Sequence, residues 1–300
     1  LDRDQVRARV DSPTYRAGML DRDGVVMVDP ARLSWGLARA AERAGVVIHE
    51  HTRVTGLERA GAALRVTADF GSVRAGRVAL GTSAFPPLLK RLGHYVVPVY
   101  DSVLMTEPLT AEQRAAIGWQ DRVGIGDAGN QFHYYRITED GRILWGGYDA
   151  SYYGSFNPMH ERQGAPFARL SEHFRYTFPQ LHGLRFTHAW AGAIDTCSRF
   201  SAFWGTAYDG RLSYSLGFTG LGVGASRFGA QVMLDMLAGE RTERTALEMV
   251  RTKPIPFPPE PIRGLGIGIT RRAIDKADRN QGKRNLWLRT LDRVGLGFDS

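Results

Sequence analysis

The sequence predicts a mixed fold, an α/β part combined with an antiparallel β layer. Three observations carry this. An early helix, "DPARLSWGLARAAERAG", runs into the apolar "VVIHE" and a series of short alternating runs. Residues 85–205 then hold aromatic-rich extended runs without crossover helices between them, as antiparallel sheets do. Late in the chain, "GRLSYSL" leads through "GFTGLGVGASRFG" into a helix, a strand–glycine turn–helix unit.

In chain order, Asp29 caps the early helix and Pro30 suits its first turn. Leu33, Leu37, Ala40, Ala41 and Ala44 make one face, and Gly45 stops it. "VVIHE" reads as a short buried strand. Turn residues at Ala60-Gly61 and Asp69-Phe70-Gly71 divide the next stretch into the three strands of a β-meander. A further strand ends at the Gly81-Thr82-Ser83 turn. "YVVPVYDSVLMTEPL" is a long strand whose Pro98 assigns it to an edge or a bulge. "QFHYYRITEDGRILWGGYD" is a hairpin in which Phe132, Tyr134 and Arg136 alternate with His133, Tyr135 and Ile137, with Asp140-Gly141 at the turn. "SEHFRYTFPQL" is a short helix stopped by Pro179, and "RFTHAWAGAID" is another strand. The late helix closes at Gly239 and gives way to a proline-rich, then basic tail.

The 300 residues suffice for one large domain or two ordinary ones, and the 43% hydrophobic and 23% charged content is that of a globular protein. No apolar run reaches the length of a membrane span, and the first residues do not resemble a signal peptide. With Cys197 as the single cysteine, no intrachain disulfide forms, and a reducing, cytoplasmic setting fits. From Arg263 on, nine Lys/Arg stand against Asp275, Asp278, Asp292 and Asp299, most of the net charge of +8. "RNLWLRTLDRVG" within this tail is amphipathic. It is expected to dock on the body with its arginines in water, since the aromatic interleaving of RNA readers is absent. His49 and His51 alternate on an expected strand without a partner at metal spacing, so no metal is expected. A Gly-x-Ser-x-Gly elbow is absent, which leaves hydrolase chemistry unsupported.

The late glycines lie at 217, 220, 222 and 224, and Pro254-Ile255-Pro256 rather than a second strand follows the helix. Spacing and context both exclude an NAD-type Gly-x-Gly-x-x-Gly turn. On the residues alone, two readings stay open: a tightly packed turn without a ligand, or a backbone surface that a phosphate or a ring approaches.

Taken in order, the segments resemble the FAD-dependent amine and D-amino-acid oxidase family, which contains glycine oxidase and sarcosine oxidase. "VDPARLSWGLARAAERAGVVIHEHTRVTGLE" is similar to its helix–strand segment leading to an adenosine-contacting valine, and "VRAGRVALGTSAF" to the strand that returns to the flavin nucleotide. "YRITEDGRILWGG" resembles the hairpin beside the ring, and "GRLSYSLGFTGLGVGASRFGAQVMLDMLAGE" the final strand–turn–helix that closes over the isoalloxazine. The resemblance implies an incomplete FAD-binding Rossmann-like domain (1–84 and 206–245), an antiparallel β substrate domain (85–205), and the tail (246–300). It implies FAD as cofactor, with Val54, Gly81, Thr82, Gly192, Gly217, Phe218, Thr219, Gly220 and Leu221 around it. The family often has a polar residue where Leu221 stands. The family's first strand and its Gly-x-Gly-x-x-Gly have no counterpart here, so an N-terminal FAD-binding segment is expected to be missing from this sequence.

Glycine and D-amino-acid oxidases place a carboxylate-clamping arginine after the "W-x-G" strand, where Ala193 and Ile194 stand here. The pattern W-x-G-x-I-D-T-x-x-R instead resembles the γ-glutamylputrescine oxidase branch. The implied reaction is oxidation of the C–N bond of an amine, by hydride transfer to the flavin, on an acylated polyamine-type substrate. The alternatives are a D-amino-acid or sarcosine-type oxidase and a truncated, non-catalytic interaction protein. Pocket candidates are His133, Tyr134, Arg136, Trp145, Tyr148 and Arg199; the competing role is core packing for the aromatics and plain exposure for the arginines. Asp195 is expected to support the turn rather than to act as an acid, and Cys197 to be a buried inert thiol.

Overall fold

The computed structural model describes residues 1–119 and 121–296; Asp299 of the tail lies outside them. Strands β1 (Val54–Ala60), β2 (Ala63–Ala68) and β3 (Gly71–Ala75) form the expected antiparallel meander, followed by β4 (Val78–Leu80). β5 (Val97–Thr106), β6 (Ile125–Gly126), β7 (His133–Ile137), β8 (Ile143–Gly147), β9 (Ser151–Tyr152) and β10 (Phe186–Thr196) build an antiparallel sheet in the order β10-β5-β8-β7-β6, with β9 also on β5. β11 (Phe203–Ala207) and β12 (Leu212–Leu216) pair antiparallel, and β12 pairs in parallel with β4. The helices are α1 (Arg3–Arg7), α2 (Pro30–Arg43), α3 (Ala111–Ile117), α4 (Gly164–Thr177), α5 (Gly222–Ala238), α6 (Glu243–Ala246), α7 (Glu248–Arg251), α8 (Ile262–Arg279) and α9 (Leu286–Arg293).

Side-chain alternation decides how the antiparallel sheet is covered. In β7, His133, Tyr135 and Ile137 are buried. With Leu104, Ile143 and Trp145 they turn toward Leu170, Phe174 and Phe178, carried on or just after α4, in the largest core of the molecule. A second core joins Leu64 of the meander to Leu80, Phe203, Tyr214 and Leu216 of the three-stranded sheet. Trp204, Val232 and Val250 seat α5 on β11.

Several expectations are corrected. "VVIHE" forms no strand, and Val46, Val47 and Ile48 are exposed, Val47 by 75%. A strand needs a neighbour to take its N–H and C=O groups, and none of the described strands lies alongside. His49 and His51 therefore lie in an irregular segment. α2 has its Asp29 cap, whose carboxylate accepts the Arg32 N–H at 3.0 Å, but none of its residues is buried. β5 is an interior strand, not an edge; Pro98 is tolerated because it is the second residue, where β10 alone is paired and β9 has not begun. The helix stopped by Pro179 starts earlier than expected, at Gly164. The division at residue 205 cuts β11, which hydrogen-bonds to β12 along its length, so the strand belongs with β12.

The tail folds back on the body. Ala273, Ile274, Ala277 and Leu288 join α8 to α9. The Asp278 carboxylate accepts the Asn130 and Gln131 backbone N–H groups at 3.2 and 2.8 Å, which pins α8 to the loop before β7. Arg271, Arg272 and Arg289 face water, as expected.

Candidate functional site

Residues paired across an antiparallel ladder share a face. The register therefore puts Tyr134, Gly146, Val103 and Trp190 in one row, with Asp101–Gly192 and Val99–Ile194 in the rows beside it. This is the face opposite the core under α4. It is open: Trp190 is 39% exposed, and a Cβ added at Gly192 meets nothing within 4 Å.

The glycine turn closes one end of this face. Every residue of β12 is buried, and the chain leaves it at Gly217 with φ 76°. A Cβ here would lie 2.9 Å from Cys197 Sγ, so the position needs glycine for both conformation and space. The Asp195 carboxylate, at the end of β10, accepts the Gly217 N–H at 2.7 Å, and its backbone carbonyl accepts the Thr219 N–H at 3.2 Å. Thr219 is itself left-handed at φ 50°, an uncommon state for a β-branched residue, and its hydroxyl donates to the Gly217 carbonyl at 3.0 Å. Gly220 follows at φ 87°, its Cβ direction 3.9 Å from Ile194 Cδ1, which puts the turn beside the open face. Burial raises the Asp195 carboxyl above the usual range, against the N–H groups of the turn that favour its charged form. Asp195 thus supports the turn, as expected, and Cys197 is fully buried beneath it.

Exposed Leu221 precedes α5 and offers no side-chain cap, so the positive end of the helix dipole is free at the turn. Phe218 contributes backbone only: its ring packs inward with Trp204 and Val232. Because β4 runs parallel to β12, Gly81 and Thr82 emerge at the same strand end as the turn, the end where α/β folds bind ligands. Gly81 is exposed, and Thr82 Oγ1 is buried without a hydrogen-bond partner, an orphan that a polar ligand atom can satisfy. Val54 opens β1 and is 38% exposed. An uncapped helix start, an orphaned hydroxyl and side-chain-free ground at Gly192 and Gly220 suit a flat, partly anionic group such as the FAD flavin.

The hairpin candidates divide by face. Tyr134 and Arg136 lie on the open side, and Arg136 donates to the Val28 carbonyl. Tyr134 lies across Gly146, where a Cβ would be 2.7 Å from its Cζ, and its hydroxyl donates to Asp101 Oδ2 at 2.6 Å. Asp101 was not among the sequence candidates; the available signal was a lone carboxylate on one face of the otherwise apolar Val99–Met105 alternation. Burial raises the Asp101 carboxyl above the usual range, opposed by the Tyr134 hydroxyl and by the Ser102 and Gly147 N–H groups. The Tyr134 phenol is raised by its own burial and by the neighbouring carboxylate.

The other candidates are not brought to this face. His133 points into the core because it alternates with Tyr134; its ring stacks between Trp145 and Tyr148 at 4.7 and 5.1 Å. Its nitrogens meet Asp127 Oδ2 at 2.5 Å and His173 Nδ1 at 2.9 Å. Tyr148 stacks with it and donates to Asp275 at 3.4 Å, toward α8. Trp145 is fully buried. Arg199 is corrected from a pocket to a structural role: its guanidinium donates to the carbonyls of Ser201, Ala202, Met249 and Thr252, tying α7 to the β10–β11 connection.

Comparison with known proteins fits this geometry. A γ-glutamylputrescine oxidoreductase of Escherichia coli (strain K12) is 29% identical over 264 residues, covering 85% of this chain and 58% of the relative. A probable oxidoreductase OrdL of Rhizobium meliloti (strain 1021) is 25% identical over 261 residues, covering 85% and 57%. This chain thus spans somewhat over half the length of these relatives. Glycine oxidase from Geobacillus kaustophilus shares the fold with a TM-score of 0.61 at 20% identity, over 74% of this chain and 58% of that one. The family model for FAD dependent oxidoreductases matches residues 1–236, from before α1 into the last turn of α5. The meander, the open sheet face and the glycine turn all fall within that match, and the chain belongs to the FAD dependent oxidoreductase family.

Proposed function

We propose that this chain provides the substrate face and the ring-side turn of an FAD-dependent oxidoreductase that oxidises the C–N bond of an amine. The observation that carries the reading is the meeting of the open face, through Gly192 and Ile194, with the Gly217–Leu221 turn. FAD, when bound, would supply the acceptor for the hydride leaving the carbon next to nitrogen, once the ammonium has lost a proton and its lone pair can form the C=N bond. The Gly217–Leu221 backbone and the start of α5 hold the side of the ring that becomes negative, Thr82 satisfies a polar group of the nucleotide, and Val54 meets it through its backbone. Tyr134, Val103, Trp190 and Ile194 exclude water from the substrate and orient it.

The aliphatic Ile194 beside the turn, and the engagement of Arg136 with the Val28 carbonyl, support an amine without an α-carboxylate. Within that class we favour an acylated polyamine. The exposed apolar residues of α2 and of 46–48 support a covering βαβ segment that carries the pyrophosphate site. The test uses the product of the full gene. A peroxide assay or a dye-coupled assay is expected to show faster turnover of an acylated diamine than of glycine or D-alanine; the reverse order overturns the substrate reading. Gly192→Leu is expected to leave the melting temperature of the FAD-free protein unchanged and to abolish FAD retention, whereas full retention removes the ring from this face.

A further inference from the structure

We propose that Asp101 is the specificity-determining residue of the open face, receiving the substrate ammonium while Tyr134 holds its carboxylate in place. The proposal rests on the amine reading above and names the group that recognises the amine.

The geometry has three parts. Asp101 is directly opposite Gly192 in the β5–β10 ladder, and Gly192 has nothing within 4 Å of its Cβ direction, so the ground in front of the carboxylate is free for a ligand. Two residues further along β10, about 7 Å at strand spacing, stands Ile194, which the turn approaches at Gly220. A nitrogen at Asp101 thus places its neighbouring carbons over Gly192 toward the turn. Finally, Tyr134 reaches over Gly146 to bond Asp101 Oδ2 at 2.6 Å, which fixes the carboxylate rotamer from the side away from Gly192.

The charge argument selects the ligand. An ionised carboxylate only accepts hydrogen bonds; the Tyr134 hydroxyl and the Ser102 and Gly147 N–H groups supply three neutral donors and no positive charge. The flanking side chains, Val99, Val103, Trp190 and Ile194, are apolar and carry no cation of their own, so a ligand ammonium is the group that meets the carboxylate in a charge-assisted bond. The exposed Trp190 indole adds a surface favourable to a cation. The same carboxylate repels the α-carboxylate of an amino acid, and Arg136 is turned to the Val28 carbonyl and does not offset it. Asp101 therefore both attracts simple ammonium ions and rejects zwitterions, the two halves of a specificity device.

The experiment compares 4-acetamidobutylamine with its uncharged analogue 4-acetamidobutanol on the FAD-loaded product of the full gene. Binding is read by calorimetry, and turnover by kcat and KM. Asp101→Asn keeps shape and a hydrogen-bonding group for Tyr134 but removes the charge. It is expected to weaken binding of the ammonium compound about 10- to 100-fold, the scale of a charged hydrogen bond, mainly as a rise in KM. Affinity for the alcohol should change less than about 2-fold, within the few tenths of a kcal/mol expected where no charge interaction is lost. Tyr134→Phe should cost a smaller factor in the same direction, and it carries the test if Asp101→Asn does not fold. Unchanged ammonium affinity, or equal losses for both compounds, overturns the proposal. Wild-type protein that binds the ammonium compound through Asp101 but turns over no amine sustains this inference and overturns the oxidase reading instead.

Discussion

Trp145 and Trp35 both lie in segments whose periodicity marks an element with an apolar side, yet one is fully buried and the other 61% exposed. Trp145 belongs to the hairpin layer, which closes on itself: α4 comes from the same stretch of chain and covers the inner face of the sheet. Trp35 belongs to α2, which forms with its cap and its first-turn proline but presents Leu33, Trp35 and Leu37 to water. Local sequence makes the helix; what the helix packs against is a separate, non-local matter. The hairpin layer carries its partners with it and the α2 region does not, so the two should differ sharply in what a substitution costs.

The widest gap is expected between Trp145→Ala and Trp35→Ala in this 300-residue chain. Removing Trp145 leaves a cavity among Tyr135, Phe174 and Phe178 and should cost about 3–5 kcal/mol in denaturant unfolding. Removing Trp35 should cost under about 0.5 kcal/mol. Equal costs would mean that α2 is covered after all and would break the comparison.

The next contrast lies within the candidate site. Gly217→Ala combines a left-handed backbone with a contact of 2.9 Å to Cys197 Sγ. It should destabilise the chain by about 2–4 kcal/mol. Gly192→Ala, in an extended strand with open space, should be neutral within about 0.5 kcal/mol. A tolerated Gly217→Ala would show that the turn is not anchored as described.

The smallest expected effect concerns pH. His173, on α4, has its ring held below the usual imidazole range, first by burial and then by His133, with Glu172, Arg169 and Asp149 also nearby. An imidazole with a lowered folded value binds its proton more readily in the unfolded chain. The stability this provides is full above about pH 6.5, the unfolded value, and is lost as pH falls through the folded one. Thermal melts between pH 5 and pH 8, on the order of that window, should rise with pH, and His173→Gln should flatten the rise. An unchanged slope would remove His173 as its source.

Much of the fold was legible because its signals are local. The meander turns, the alternation of the hairpin, the Asp29 cap and the glycine turn each follow from a few adjacent residues. The failures come from partners distant in sequence. Residues 46–48 have strand composition but no ladder neighbour among the described strands. Pro98 suggested an edge because β9 and β10, which flank its strand, arise far downstream. At the candidate site, alternation separated Tyr134 from His133 correctly, but it did not say which side met the turn; that depends on the register of β10 against β5. Arg199 was a pocket candidate, but the carbonyls of Met249 and Thr252, some 50 residues on, take its guanidinium. Asp101 was passed over because its partner, Tyr134, is 33 residues away.

The hydrogen bonds under the glycine turn have a further consequence. Most surface turns fluctuate independently of the sheet they leave. Here the Gly217 and Thr219 amides end on Asp195, and Asp195 sits in the ladder that β10 makes with β5. The turn is therefore tied at two points to a residue held in that ladder. Its amide protons should exchange with solvent at the pace of the sheet, orders of magnitude more slowly than those of an ordinary loop. Whatever rests on the turn is held against a part of the molecule that moves only when the sheet does.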